Sequence, residues 1–374
     1  MSMVEWRTIG DCIISLKTGL NPRKNFVLNS EGSTNYYITV RELDYWKINP
    51  SDKTDKVDDN AIKIINNRSN LEEGDVLFSG TGTIGRTALV NETPKNWNIK
   101  EGVYAIKPKK DVLDSKFLIE LFHSYYLINK ITEFTVGDPI RSVPMKNLVQ
   151  IPIPVPSLSQ QKSIVDQLDT FTSSIENLKE QISQRRKQYE YYRDQLLDLE
   201  GKEGVEMKRL GDICKLERGV RVVKKNLQEE GGIPVYQNSL TPLGFYEKSN
   251  YPEKTPFIIC AGAAGEIGYS NIPFWAADDC TCILCPSSII GKYVYYYLLV
   301  KQHSLKSQVR KASVPRLSKD VVGKLLIPIS SLSEQQRIVG ILDVLEESIQ
   351  NLEAQLSQRE KQYEYYRNKL LTFE

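Results

Sequence analysis

The chain contains 374 residues, a length that suits two or three domains rather than one. Its hydrophobic content of 40% and charged content of 26% are those of a globular protein, and its net charge is only +2, so any basic surface must be local. No apolar run reaches the roughly 18 residues that a membrane span needs, and the N-terminus lacks a secretory signal, so we expect a cytoplasmic protein whose six cysteines stay reduced.

Residues 1–150 alternate short strands rich in Tyr, Ile and Val with turns made of Gly, Pro and Asn. The pattern predicts a strand from Val76 to Phe78, a turn at Gly82-Thr83-Ile84-Gly85 and a helix from Ser115 to Lys130. The segment Gly80–Gly85 also matches the dinucleotide-binding pattern G-x-G-x-x-G. That pattern requires a helix directly afterwards, whereas RTALVNETP indicates a strand and a turn, so we reject a nucleotide site.

Residues 151–200 contain the first long helix. An extended stretch with Ile153-Pro154 leads into a predicted helix of about 40 residues, with Ser159 as its expected N-cap. Apolar side chains recur in steps of four and three, which is the a/d seam of a coiled coil. The seam residues are Leu168, Phe171, Ile175, Leu178, Ile182, Tyr189, Tyr192, Leu196 and Leu199, with one interruption at Arg185.

Residues 201–326 begin like the first domain, since Val205-Glu206-Met207-Lys208 parallels Val4-Glu5-Trp6-Arg7. A predicted strand from Phe257 to Cys260 precedes Gly265-Glu266-Ile267-Gly268, which we align with the turn of the first domain. A helix is predicted from Tyr293 to Val309. Between these points the two domains differ widely in length and composition.

Four cysteines cluster in the second domain, at Cys260, Cys280, Cys282 and Cys285. A structural zinc site usually takes two spaced pairs of ligands, whereas this cluster lacks a second pair and has one histidine nearby, His303. The run TCILC alternates like a buried strand, in which cysteine behaves as a small apolar residue. We therefore predict a strand here rather than a metal site.

Residues 327–374 repeat the first helix without a gap. Ile327-Pro328 leads into the helix, Ser333 takes the place of Ser159, and the motif KQYEYYR is identical at Lys187–Arg193 and Lys361–Arg367. The second seam, interrupted at Arg359, consists of Leu342, Leu345, Ile349, Leu352, Leu356, Tyr363, Tyr366, Leu370 and Phe373.

The two helical copies are the obvious partners for each other, because a strict seam of about five heptads requires a second helix. The domain between the copies can carry the chain around, which favours antiparallel pairing. With the ends aligned, Arg185 should lie near Glu347 and Arg359 near Glu176, whose carboxylates would offset the cost of arginine in the seam. The alternative is two separate amphipathic helices, each packed on its own domain.

These elements together predict an α+β protein. Two mostly-β domains with pseudo-twofold symmetry are expected to be separated by an antiparallel coiled coil of two long helices. The expected divisions are residues 1–150, a linker and spacer helix at 151–200, residues 201–326, and a second linker and spacer helix at 327–374.

The order of these features, repeated twice over essentially the whole chain, resembles the specificity subunits of type I restriction–modification systems. In that family each target-recognition domain carries a Gly-x-Ile-Gly turn and is followed by Ile-Pro, then by Leu-Ser-x-Gln-Gln and a long spacer helix. The matching segments are Gly82–Gly85 with Leu158–Gln161, and Gly265–Gly268 with Leu332–Gln336. The first helix departs slightly, because it reads Leu-Ser-Gln-Gln.

The resemblance implies a non-catalytic subunit that reads a split, asymmetric target in double-stranded DNA, one half with each domain, while the helices set the gap. It also implies two methyltransferase subunits and ATP-driven restriction subunits as partners. S-adenosylmethionine, ATP and Mg would then bind to those partners and no cofactor to this chain. Adenine methylation and cleavage would be activities of the complex.

Contacts to DNA are expected from polar and basic side chains at loop tips after strands. Arginine can pair bidentately with guanine, and glutamine or asparagine with adenine, in the major groove. The candidate DNA-binding residues are Arg41, Thr83, Arg86 and Arg141 in the first domain, and Gln237, Asn238, Glu266, Arg310 and Arg316 in the second.

Two other functions are weighed against this one. A stand-alone DNA methyltransferase should carry a motif similar to Asn/Asp-Pro-Pro-Tyr/Phe, but Asn271-Ile272-Pro273-Phe274 lacks the first proline and no Gly-rich cofactor segment accompanies it. A protein-binding coiled-coil scaffold would explain the helices but not two domains with matched turns and unmatched loops. A nuclease site at Asp198, Glu200 and Lys202 is less favoured than a solvated helix end.

Overall fold

The structure, a computed structural model, describes residues 4–23, 25–311 and 313–373. The helices are α1 (Ile9–Cys12), α2 (Asp59–Ser69), α3 (Ser115–Phe122), α4 (Tyr125–Glu133), α5 (Met145–Leu148), α6 (Leu158–Leu197), α7 (Leu210–Ile213), α8 (Gly291–Ser307), α9 (Lys319–Gly323) and α10 (Leu332–Leu370), with short 3-10 turns at Val40–Glu42 and Lys224–Asn226.

The strands are short, as the frequent turn residues predict. They are β1 (Glu5–Thr8), β2 (Ile13–Thr18), β3 (Asn35–Ile38), β4 (Leu43–Asp44), β5 (Lys47–Ile48), β6 (Lys56–Val57), β7 (Val76–Ser79), β8 (Thr87–Leu89), β9 (Trp97–Ile99), β10 (Val103–Pro108), β11 (Pro152–Val155), β12 (Glu206–Arg209), β13 (Lys215–Arg218), β14 (Ile233–Tyr236), β15 (Gly244–Tyr246), β16 (Thr255–Ile259), β17 (Ile267–Ser270), β18 (Trp275–Ala276), β19 (Cys280–Leu284) and β20 (Leu326–Ile329).

The chain divides into two compact units. Unit 1 comprises Met1–Asn177 and Leu356–Glu374, and unit 2 comprises Leu178–Gln355. The division falls inside α6 and α10, so each long helix contributes one part to each unit. Each unit is thus a mostly-β domain with parts of two long helices packed on it.

The two units share the topology of three sheets, and unit 1 has in addition the two-stranded sheet β4-β5. A four-stranded sheet has the order β2-β10-β7-β8 in unit 1 and β13-β19-β16-β17 in unit 2. A three-stranded sheet places one antiparallel and one parallel neighbour beside a central strand, in the orders β6-β3-β9 and β15-β14-β18. A two-stranded sheet, β1-β11 or β12-β20, closes each domain. The predicted α+β class with two similar domains is confirmed.

The strand predicted for the cysteine run is confirmed by β19. Cys280 and Cys282 are fully buried within it, packed with Phe257 and Phe274. Burial raises the pKa of both thiols above the ordinary value, so both remain protonated at neutral pH. In the part of the chain that the structure describes, no group of three or more His, Cys, Asp or Glu side chains is arranged to hold a metal ion.

The single helix predicted from Ser115 to Lys130 is wrong, because the segment forms two helices. The hydroxyl oxygen of Ser124 accepts a hydrogen bond from the Leu127 N–H and starts α4. In unit 2 the corresponding position is Val300, which offers no such acceptor, so α8 runs unbroken from Gly291 to Ser307. The presence or absence of one capping side chain therefore explains why unit 1 has two short helices where unit 2 has one long helix.

The predicted N-caps Ser159 and Ser333 are also wrong. Both long helices begin one residue earlier than these serines, and the caps are Ser157 and Ser331. The Ser157 hydroxyl accepts from the Gln160 N–H at 3.4 Å, and the Gln160 side chain accepts from the Ser157 N–H at 3.1 Å. This reciprocal capping box requires Ser-x-x-Gln, a spacing that Ser157 has and Ser159 lacks.

A buried glutamine fastens the start of each long helix to its domain. Gln161 and Gln335 are both fully buried. The Gln161 oxygen accepts from the Asp114 N–H at 2.8 Å, and its amide donates to the carbonyls of Val112 and Pro156. Gln335 repeats the arrangement with the Ile290 N–H and the carbonyls of Ser288 and Ser330. These bonds satisfy most of an amide's capacity, which makes its burial tolerable.

Within unit 1 the two helix segments run antiparallel. Ile164, Val165 and Leu168 near the start of α6 share a core with Leu371 near the end of the chain. Further along, Phe171 stacks on Tyr366 at 5.3 Å and on Tyr363 at 6.3 Å between ring centroids. The order of contacts reverses along the two segments, so the predicted antiparallel pairing is confirmed in this unit.

Within unit 2 the complementary parts of the same helices pair in the same sense. Leu197 and Leu199 share a core with Ile338 and Leu342. The ion pair between Arg186 and Glu353 joins the two helices at 2.5 Å. Further seam positions on the two helices, taken from both units, are buried or half-buried: Ile175, Ile182, Arg185, Tyr189, Ile349, Leu356 and Arg359. Tyr192 and Tyr366, predicted in the seam, remain 48% and 41% exposed.

The carboxylate partners predicted for the two seam arginines are wrong. Arg185 donates to Gln188 on its own helix at 3.1 Å, rather than to Glu347. Arg359 lies 5.8 Å from the ring centroid of Phe171, and Glu176 binds Lys47 of the domain instead. An aromatic face can accept a guanidinium without the desolvation of a second charge, which explains why arginine is tolerated there.

The identical KQYEYYR motifs dock on different acceptors in the two units. In unit 1 the Tyr363 hydroxyl lies 2.7 Å from Glu120 and 2.8 Å from the Tyr45 hydroxyl, which donates to Glu120 as well. Burial raises the pKa of the Glu120 carboxyl. In unit 2 the matching Tyr189 packs edge-on against Tyr296 at 6.5 Å, and its buried hydroxyl has no hydrogen-bond partner among the described residues.

The two motif tyrosines therefore give a matched pair of predictions. We expect Tyr363→Phe to lower the free energy of unfolding by about 1–3 kcal/mol, because Glu120 loses a donor while remaining buried. We expect Tyr189→Phe to leave it within about 0.5 kcal/mol, because no partner loses a bond. Urea unfolding followed by circular dichroism measures both, and equal losses would contradict the assigned contacts.

Candidate nucleic-acid interface

A loop rich in glycine joins two strands of the four-stranded sheet in each unit; we call residues 79–86 and 259–266 the Gly loops. In unit 1 the Gly85 N–H donates to the Ser79 carbonyl at 3.0 Å, and the Ser79 N–H donates to the Arg86 carbonyl at 2.8 Å. In unit 2 the same two bonds, both 2.8 Å long, connect Gly265 to Ile259 and Ile259 to Glu266. The two loops therefore have one backbone framework.

This framework corrects the alignment made from the sequence. Gly82–Gly85 corresponds to Gly262–Gly265, not to Gly265–Gly268. Gly82 and Gly85 adopt positive φ of 77° and 92°, and Gly262 and Gly265 of 83° and 88°, which glycine accommodates without strain. Gly268 instead lies in β17 opposite Phe257. The repeated Gly-x-Ile-Gly letters coincide with a turn in one unit and with a strand in the other.

A second loop lies against each Gly loop; we call residues 136–142 in unit 1, and residues 310, 311 and 313–316 in unit 2, the return hairpins. In unit 1 Val136 and Ser142 exchange two backbone hydrogen bonds of 2.8 Å, and the Gly82 N–H donates to the Arg141 carbonyl at 2.9 Å. In unit 2 Arg310 and Arg316 exchange backbone bonds of 2.8 and 3.1 Å, and the Gly262 N–H donates to the Pro315 carbonyl at 3.3 Å. Arg316 therefore occupies the position of Ser142.

The four candidates of unit 1 surround its Gly loop. Thr83 and Arg86 belong to the loop, and the adjoining return hairpin presents Arg141. The Arg86 guanidinium donates to the carbonyl of Val40, which precedes Arg41, at 3.4 Å. All four side chains are exposed, but Arg41 already forms an ion pair with Asp55 at 3.2 Å. Arg86 and Arg141 are the better donors for an incoming ligand.

The five candidates of unit 2 also surround one Gly loop. The Ala263 N–H of the loop donates to the Asn238 carbonyl at 2.9 Å, and Glu266 ends the loop. Gln237 is half-buried and its amide donates to Asp279 at 3.4 Å. Arg310 and Arg316 stand exposed on the return hairpin. The fold thus brings every predicted residue of each domain to one end of its four-stranded sheet.

Sequence reasoning missed several residues that share these surfaces. In unit 1 a cleft of about 390 Å³ beside the Gly loop is lined by His123 and Ile128, together with the predicted Arg141. His123 bonds to the Thr87 hydroxyl at 2.9 Å, and burial lowers its pKa to about 3, so the imidazole is neutral. In unit 2 a cleft of about 560 Å³ includes Arg218 and Lys319. Arg218 and Lys319 lie on neighbouring elements rather than on the loops, so no feature of the sequence indicated that they would line this cleft.

The arrangement suits recognition of a nucleic acid, which offers both phosphates and the hydrogen-bonding edges of its bases. Exposed guanidinium groups can bind phosphates or pair bidentately with guanine, and an exposed amide such as Asn238 can pair with adenine. Rigid backbone bonds hold the loops that carry these groups. The same framework carries arginine at Arg86 in one unit and a carboxylate at Glu266 in the other, so the two surfaces differ in charge at matched positions.

Comparison with known proteins identifies this architecture of repeated domains and long helices as that of a DNA specificity subunit. The family profile described as type I restriction modification DNA specificity domain matches residues 1–185 and 202–360. The chain belongs to this family.

Individual relatives agree with the profile. A putative type I restriction enzyme specificity subunit of Haemophilus influenzae is 32% identical over 301 residues, 71% of this chain and 74% of the relative. The EcoR124I/EcoR124II specificity subunit of Escherichia coli is 31% identical over 315 residues, 74% of this chain and 76% of the relative. The crystal structure of an S subunit from M. genitalium has the same fold, with a TM-score of 0.66 and 20% identity, and the match covers 100% of this chain and 97% of that one.

The Ser79 hydroxyl connects the two sides of the first Gly loop and can be tested. It donates to the Thr83 carbonyl at 2.6 Å and accepts from the Arg86 N–H at 2.8 Å, while fully buried. We expect Ser79→Ala to lower the free energy of unfolding by about 1–2 kcal/mol and to weaken discrimination in one half of a DNA target. Chemical unfolding and competition binding measure the two effects.

Ser270→Ala is the matched control for that substitution. Ser270 is also buried and makes the same two kinds of bond, with Ile272, but it lies outside both Gly loops. We expect a similar loss of stability without a change in DNA discrimination. If both variants changed discrimination equally, the effect would come from stability and not from the Gly loop.

Proposed function

We propose that this chain is the subunit that reads DNA in a type I restriction–modification complex. Each unit reads one half of a split, asymmetric target, and partner subunits methylate adenine and cleave the DNA. The observation that carries the proposal is the repeated framework with unlike side chains. The Gly loops and the segments beside them, held by the same backbone bonds, present Thr83, Arg86 and Arg141 in unit 1, and Glu266 and Asn238 in unit 2.

Family membership supports this function. The Haemophilus and Escherichia relatives are described as specificity subunits of type I restriction enzymes, and the matching profile describes a DNA specificity domain. A solved relative with a TM-score of 0.62 comes from work on assembly of the type I system. We therefore propose two methyltransferase subunits and ATP-driven restriction subunits as partners, and a cytoplasmic location. No helix among the described residues has the length and apolar character of a membrane span.

We further propose that the chain performs no chemistry itself and holds no cofactor. S-adenosylmethionine, ATP and Mg would bind to its partners. The nearest match to a methyltransferase motif, Asn271–Phe274, forms the turn after β17 and ends in Phe274, which is fully buried and packed against Tyr236 and Tyr251. A buried aromatic ring cannot stack on a base, which argues against a stand-alone methyltransferase.

Exchange of one domain tests the division of labour. We expect replacement of residues 1–150 by the equivalent part of a relative to change one half of the methylated sequence, because the loops of unit 1 determine that half. The matched exchange of residues 201–326 should change the other half. Sequencing of the methylated adenines in host DNA measures both outcomes, and a change in both halves from one exchange would refute modular recognition.

A binding assay separates the proposed function from the two alternatives. Equilibrium dialysis with labelled S-adenosylmethionine should show no binding to the isolated chain and binding to its complex with methyltransferase subunits. A gel-shift assay with that complex should show binding to double-stranded target DNA. Binding of the cofactor to the isolated chain would favour an enzyme, and absence of any DNA binding by the complex would favour a scaffold.

A further inference from the structure

The space that forms the cleft of unit 2 is filled by a side chain in unit 1, although the surrounding backbone is the same. Ala105 pairs with Leu77 as Cys282 pairs with Phe257, so Tyr104 corresponds to Thr281. In unit 1 the buried Tyr104 side chain crosses the space and donates to the Val143 carbonyl at 2.8 Å. Thr281 is too short to do so, and the space beside it remains open as a cleft of about 560 Å³.

The residue packed beside Tyr104 or Thr281 also differs between the two units. Gly80 corresponds to Cys260, because their N–H groups donate to the matched carbonyls of Gly102 and Asp279. A Cβ at Gly80 would lie 2.1 Å from the Tyr104 ring, so a tyrosine at this site requires glycine opposite it. In unit 2 the Cys260 Sγ lies 3.2 Å from the Thr281 hydroxyl. The open cleft thus results from a coupled pair of residues.

Cationic side chains line the open cleft at positions where unit 1 is neutral. The four cations are Arg218, Arg310, Arg316 and Lys319, and by the same backbone pairing Arg218, Arg310 and Arg316 correspond to Thr18, Val136 and Ser142. Since the shared framework forms without these charges in unit 1, folding does not require them.

These cations are available to a ligand. The structure gives none of the four an ion pair with another described residue, and each is exposed. Arg218 makes one bond, from Nε to the Asp278 carbonyl at 2.5 Å. Two carboxylates, Asp278 and Asp279, also line the cleft, and Asp279 accepts from Gln237. Four positive charges face two negative ones, so the cleft favours an anion.

We propose that this cleft binds a backbone phosphate of the DNA beside the half-target read by unit 2. Arginine and lysine side chains without partners are the groups that bind phosphate oxygens, and a phosphate contact fixes position without reading sequence. Arg310 and Arg316 therefore act on the backbone rather than on bases. Unit 1 fills the same place with Tyr104 and anchors DNA by other residues. This inference rests on the proposed function.

Two variants of the full chain, each in complex with its methyltransferase partners, test the assignment. Arg316→Gln with Lys319→Gln removes charge, while Cys260→Gly with Thr281→Tyr fills the cleft with the pair found in unit 1 and keeps every charge. We expect each variant to weaken target binding about tenfold at 0.1 M salt. The dependence of log K on log [salt] should become shallower by about 0.9 for each phosphate that the variant no longer binds. The exposed Lys248→Gln is the control for removal of charge alone, and it should leave both values unchanged.

The readout separates phosphate binding from base reading. The preference for the target over DNA mismatched in either half should stay constant in both variants, since a phosphate contact is independent of sequence. A changed preference at one base pair, or an unchanged salt dependence, would overturn the assignment. Protection of the wild-type chain from thermal unfolding by ATP, if abolished in both variants, would also overturn it in favour of a nucleotide phosphate. If the wild-type complex itself shows no preference for any target, the proposed function fails instead.

Discussion

The bond between each long helix and the domain before it is the constraint on which the rest of each unit depends. A single buried amide, Gln161 or Gln335, receives a backbone N–H from the domain and donates to two carbonyls. Further along each long helix, a matched ion pair adds a second connection between helix and domain. It joins Lys116 to Asp169 in unit 1 and Lys292 to Asp343 in unit 2. Because a half-satisfied buried amide is destabilising, the helix can leave the domain in one direction only. The loops at the end of the sheet are thereby held in a fixed relation to the helix.

Both copies of the repeat keep the buried glutamine at the start of the long helix, whereas the contacts near the end of the helix differ between the two copies. The same KQYEYYR motif meets a carboxylate and a hydroxyl, Glu120 and Tyr45, in unit 1, but an aromatic ring, Tyr296, in unit 2. In unit 2 the carboxylates come from the other long helix, α10, since the Tyr296 hydroxyl donates to Asp343 and Glu346. Both solutions bury a tyrosine on a helix without burying an unpaired charge. Identity of sequence therefore indicates a common docking role, and it does not determine the chemistry of the acceptor.

Much of the architecture could be predicted because it depends on periodicity and repetition. The a/d seams predicted the two long helices, the domain between them favoured their antiparallel sense, and the repeated turns indicated two related domains. The predictions that failed depend on short-range geometry that letters do not record. Ser159 follows the true cap inside the first turn, Ser124 breaks a helix that hydrophobic pattern alone extends, and Gly265–Gly268 matches by composition where Gly262–Gly265 matches by φ and hydrogen bonding. The candidate residues lie together because they follow strands that end on one side of a sheet. Arg218 and Lys319 lie on other elements, and only the folded structure brings those elements beside the Gly loop.

The two domains show how one framework can carry two different surfaces. Backbone groups make the bonds that shape the Gly loops and return hairpins, so side chains there can vary with little effect on the fold. Deeper positions vary only in coupled sets: Tyr104 requires Gly80, whereas Thr281 accepts Cys260. A single substitution at either deep position would produce a clash or a cavity, so filling or opening the cleft takes two changes. Recognition at the loop tips can therefore change one residue at a time, while acquiring or removing the basic cleft is a rarer step that alters how firmly a domain holds its ligand.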